Sequence, residues 1–180
     1  MIFRILALSF GILNTLIINP ELIIGKEKVA PGIVFIFEGA VKDQIFPKSM
    51  HLDKSQTNIH IEARVNWDNK NIPKGTPPGG FVPFLYVTTT VINQNSGYKT
   101  FVDLKPHINL IDNFHYARNI ALPGSINGLY TVRFNITPPT EIDLAIHQDW
   151  FNQYGGKLLS NYVFEYEDIN FKEIAETSRD

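Results

Sequence analysis

Apolar and polar side chains alternate without a break over residues 58–67. Ile59, Ile61, Ala63, Val65 and Trp67 fall on one face, and His60, Glu62 and Arg64 on the other. A period of two marks a β-strand with one face against a core. The same signal recurs along the chain. Residues 33–37 form a β-branched and aromatic run, and residues 40–46 read as its continuation beyond a bend at Gly39. Residues 81–92 predict a long strand, with Pro83 near its start, where a missing N–H is tolerated. Residues 93–97 predict a turn and residues 98–104 its hairpin partner. Residues 129–136 alternate again before Pro138 and Pro139, and residues 161–166 are the last predicted strand. Gly, Pro and Asn clusters at 30–32, 69–80 and 121–124 read as turns. No segment holds a helical period over eleven residues or more. About seven strands at close spacing predict an all-β fold, an antiparallel β-sandwich of immunoglobulin-like type.

The two ends differ from this body. After Arg4, residues 5–18 are apolar except for Ser9, Asn14 and Thr15. A run of about fourteen residues suits the hydrophobic region of an export signal better than a membrane span, which needs ~20. Pro20 interrupts it, and Lys26, Glu27 and Lys28 follow abruptly, which argues against the alternative of a buried N-terminal strand or helix. No small-x-small tripeptide stands just before Lys26, so cleavage and an uncleaved anchor are both open. The expected organisation is an export signal or anchor over residues 1–25, a β-sandwich over 26–170 and a polar tail over 171–180. Either outcome at the N-terminus puts the working domain outside the cytoplasmic membrane.

Composition narrows the chemistry. The 180-residue chain has no cysteine, which excludes disulfides, thiolate metal sites, iron–sulfur clusters and a cysteine nucleophile together. A net charge of -2 leaves no electrostatic footprint for nucleic acid. No serine-centred elbow, phosphate loop or dinucleotide fingerprint is present, so an enzyme is not the expected reading. Neutral imidazole is the commonest metal ligand, and the five histidines are the candidates. His107 and His115 lie in residues 105–119, which Pro106 and the Asp112–Asn113 pair are expected to divide into loop pieces. His60 and Glu62 share one face of the alternating strand about 7 Å apart. They are either two ligands on a rigid element or ordinary residues of a solvated face. His147 has Asp149 close behind it, a carboxylate able to orient an imidazole or to serve only as a turn residue. His51, beside Met50, carries the weakest signal of the five.

Five fragments in order (residues 58–63, 80–85, 114–119, 137–139 and 147–150) together resemble the periplasmic iron-transport protein family. The resemblance implies exported immunoglobulin-like sandwiches that bind metal, serve high-affinity ferrous-iron uptake beside an inner-membrane iron permease, also bind copper, and form homodimers. On this likeness His60 and Glu62 match the family's histidine-x-glutamate strand. His115 matches its histidine-tyrosine motif, and His147 the histidine near the C-terminal aspartate, here Asp149. Where the family has Met-Pro-Met, this chain has Lys105, Pro106 and His107. His107 in place of a thioether gives a harder, nitrogen-rich site, suited to divalent Fe, Cu or Zn rather than Cu(I). The expected ligands are therefore His60, Glu62, His107, His115 and His147, with Asp149 as an outer orienter. The alternatives are a copper- or zinc-binding periplasmic protein and a metal-free adhesion or assembly module.

Overall fold

The computed structural model describes residues 21–178. Its strands are β1 (Glu21–Val29), β2 (Ile33–Ala40), β3 (Ile59–Trp67), β4 (Tyr86–Asn93), β5 (Lys99–Asn109), β6 (Asn113–Ile120), β7 (Tyr130–Thr137) and β8 (Tyr162–Ile169). Two short helices, α1 (Gln148–Tyr154) and α2 (Lys172–Glu176), flank β8. Every strand pairing is antiparallel, in the order β1-β2-β3-β6-β5-β4-β7-β8. β5 belongs to both layers: up to Leu104 it pairs with β4, and from Lys105 onward with β6. The chain is thus an all-β sandwich, as the alternation predicts.

The core lies between the layers. Ile59, Ile61, Ala63 and Val65 of β3 are completely buried there. Phe37 of β2 stacks on Phe134 of β7 at 4.1 Å, and Phe35 and Phe37 both meet Phe164 of β8. Each such side chain contributes about 1.5–3 kcal/mol by leaving water. Tyr116 of β6 is buried among them because its hydroxyl is satisfied: it donates to the Val82 carbonyl at 2.9 Å and accepts from the Leu85 N–H at 3.1 Å.

Several elements differ from expectation. Residues 1–20, where the export signal is expected, lie outside the described residues. Glu21–Gly25, assigned to the end of that segment, instead form the start of β1, paired with β2. β2 ends at Ala40, and residues 41–58 cross the outer face of the first layer with two 3₁₀ turns, Lys48–Met50 and Lys54–Gln56. β4 begins only at Tyr86, after Phe84 takes a positive φ of 66°. Residues 105–119 are a β-hairpin rather than loop pieces. Pro106 is accommodated because this half of β5 is an edge, bonded to β6 on one side only, where a missing N–H breaks no ladder. Asp112 and Asn113 sit at its turn, closed by the Asn109 side chain accepting from the N–H groups of Ile111 and Asp112. The expected polar tail contains α2, which anchors the end of the chain through buried Phe171, Ile174 and Ala175.

Candidate metal centre

The register of three neighbouring strands assembles the site on the outer face of the first layer. In β3, His60, Glu62 and Arg64 point away from the core. β6 sets Asn119 opposite His60 and the small Ala117 opposite Glu62. The 105–119 hairpin makes His107 and His115 direct cross-strand partners. One ring nitrogen each from His60, His107 and His115 lies within 4.8 Å of the others. Glu62 Oε2 is 3.9 Å from His115 Nε2. The face is not solvated: His60, Glu62, His115 and Asn119 are all buried, because residues 41–58 cover them. A cavity of about 500 Å³ remains, lined by His51, His60, Glu62, His107 and His115 among others.

Hydrogen bonds orient two of the rings. The Asn119 amide donates to the carbonyls of Asp43 (2.8 Å) and Leu52 (3.1 Å) in the covering segment. Its oxygen is thereby turned to His60 Nδ1 at 2.8 Å, which must carry the proton. The lone pair of His60 is then on Nε2. His115 Nδ1 likewise faces the Asn113 carbonyl at 3.1 Å, an acceptor only, which leaves its lone pair on Nε2. A fixed tautomer held by a backbone or amide oxygen is the usual support of a ligating histidine. His107 differs: both of its ring nitrogens are buried without a hydrogen-bond partner.

Burial sets the protonation states of the site. Burial, then repulsion from His60, His51 and His115, pushes the His107 pKa down to about 3, so its ring is neutral at pH 7. Burial pushes Glu62 up to about 8, helped by Asp112, Glu38 and Glu21 and opposed by Arg64. Behind it, Arg64 bonds Glu38 at 2.6 Å and lies 3.5 Å from Asp112. Burial raises Glu38 even so.

Four of the five expected ligands therefore converge: His60, Glu62, His107 and His115. His147 does not join them within one chain. It is exposed at the N-terminus of α1, and Asp149, also exposed, accepts from the N–H of Trp150 instead of orienting an imidazole. The structure adds two residues. Asn119 could have been found from the period-two spacing of His115, Ala117 and Asn119. His51 stands 5.0 Å from the His107 ring, brought there by a segment with no periodic signal at all.

Fold and site together define a class: an antiparallel β-sandwich with a covered imidazole–carboxylate cluster able to hold a metal ion. The model of the Fe2+ transport protein family matches residues 19–173, and the chain belongs to that family. It is 29% identical over 120 residues to the 34 kDa membrane antigen of Treponema pallidum (strain Nichols), a match covering 66% of this chain and 58% of that protein. This chain thus spans less than two thirds of that relative's length. A copper-bound variant of Campylobacter jejuni P19 superimposes with a TM-score of 0.69 at 25% identity, covering 83% of this chain and 96% of P19. A copper-bound variant of FetP from uropathogenic Escherichia coli strain F11 gives 0.67 at 22% identity, covering 82% and 95%. Among the described residues no helix is long and apolar enough to cross a membrane.

Proposed function

We propose that this is an exported, periplasmic metal-binding protein that captures ferrous iron, with copper as a second ion, and passes it to an inner-membrane permease. The observation that carries this reading is the three-imidazole cluster, in which His60 and His115 are buried and the half-buried His107 has both ring nitrogens out of solvent without a hydrogen-bond partner. An unsatisfied buried polar atom costs about 1–3 kcal/mol, and coordination to a cation removes that cost for the one ring nitrogen that bears the lone pair. The donor set fits such an ion: three imidazoles and one carboxylate suit Fe2+, Zn2+ and Cu2+ alike, with copper favoured on raw affinity. Membership of an Fe2+ transport family supports iron, and the copper-bound P19 and FetP structures support copper. His147 and Asp149 enter this reading as groups that a second copy of the chain would bring, consistent with the homodimer the family implies.

The test is titration of the purified protein with Fe(II) under anaerobic conditions, and separately with Cu(II) and Zn(II), beside His60→Ala and His115→Ala. The wild type is expected to bind each ion, and either variant to weaken binding by on the order of 100-fold, about 2.7 kcal/mol. Equal affinity in wild type and both variants would overturn the assignment.

A further inference from the structure

We propose that His51 is a further ligand to the same ion, carried on the segment that covers the site, so that metal binding holds residues 41–58 closed over the cavity. This rests on the reading of the cavity as a metal centre. The segment leaves β2 after Ala40, crosses the outer face and rejoins the sheet at β3. Asn119 holds it through the carbonyls of Asp43 and Leu52. His51 lies just before the second of these ties, directly after the 3₁₀ turn Lys48–Met50.

Its ring meets His107 edge-on at 5.0 Å, nearer than His60 at 5.3 Å or His115 at 5.9 Å. His51 Nδ1 is buried with no hydrogen-bond partner, so turning the ring gives up no bond at that atom. The adjacent Met50 is 63% exposed, which leaves the imidazole and not the thioether as the group this turn presents to the cavity. His51 stands outside the three-nitrogen cluster and reaches the ion by an inward shift of its turn. Four imidazoles beside Glu62 make a nitrogen-rich set for a divalent first-row ion. The same amide that fixes the His60 tautomer also tethers the cover, so ligand orientation and closure are linked through Asn119. Escape of the ion then requires the segment to open.

The experiment uses the full chain loaded with Cu(II), in wild type, His51→Ala and His51→Phe, the last keeping a ring but no ligand atom. Pulsed electron paramagnetic resonance counts coordinated imidazole nitrogens, and hydrogen exchange follows residues 43–52. Both variants are expected to show one imidazole fewer and an affinity lower by about tenfold. Copper should slow exchange in the segment in wild type only, and added imidazole should restore the missing nitrogen in His51→Ala. Unchanged nitrogen counts and equal protection in both variants, while His115→Ala still loses copper, would overturn the role of His51 alone. Failure of the wild type to bind copper would overturn the site reading and this inference with it.

Discussion

At the scale of single residues, two ionisable groups of the site, Glu62 and His107, are held in their neutral forms at pH 7. Glu62 has a folded pKa near 8 against an ordinary 4.5, so its contribution to stability is complete below about pH 4.5 and is lost as pH rises toward 8. His107 has a folded value near 3 against 6.5, so its contribution is complete above about 6.5 and is lost as pH falls toward 3. Between 4.5 and 6.5 the two slopes cancel. The metal-free protein is therefore expected to be most stable across that plateau and to lose about 1.4 kcal/mol per pH unit between pH 6.5 and 8. Glu62→Gln should remove that alkaline slope, as followed by urea unfolding at a series of pH values. An identical slope in the variant would show that Glu62 is ionised in the folded protein. The same proton explains how a buried carboxyl serves a cation: an arriving ion displaces it, so binding releases a proton at neutral pH.

At the scale of elements, the C-terminal segment is a structural clamp. Phe171 is fully buried, 5.6 Å from the Tyr130 ring, and rests on Gly39 of β2, where a Cβ would stand 3.0 Å from the Phe171 ring. Phe171→Ala is expected to cost about 3–5 kcal/mol in chemical denaturation while leaving metal affinity unchanged in the folded fraction. A loss below about 1 kcal/mol would show that α2 is dispensable. How far such elements are legible in the sequence depends on what burial does to the pattern. β3 is readable because its core face alternates strictly, but alternation is silent on whether the polar face is wet. His60 and Glu62 are buried because the irregular segment just before β3, residues 41–58, folds back over them. The 105–119 hairpin is masked because proline and the Asp112–Asn113 pair are breakers in a central strand, yet are accommodated at an edge and at a turn. β1 is hidden in part behind the apolar N-terminus, and α1, at seven residues, is too short for a helical period to emerge. His51 has no pattern to betray it, since its position follows from tertiary contacts of an irregular segment.

At the scale of the whole molecule, the sandwich has two interiors of opposite character. One is the aromatic and aliphatic core between the layers. The other is a polar interior on the outer face of one layer, with His60, Glu62, His115 and Asn119 under residues 41–58 and the buried Glu38 beside them on β2. β5 links them by crossing from one layer to the other and ending in the hairpin that carries His107. A polar interior of this kind is unfavourable unless its groups find partners. The Arg64–Glu38 and Asn119 bonds supply some, and the proposed ion would supply one to the lone-pair nitrogen of His107. Crystals of the protein soaked with Cu(II), and separately with Fe(II) under anaerobic conditions, test this directly by anomalous diffraction at each metal edge. The account predicts a peak in the cavity with nitrogens of His60, His107 and His115 about 2.0–2.2 Å away. A single peak bound elsewhere, with these three imidazoles still unligated, would contradict it.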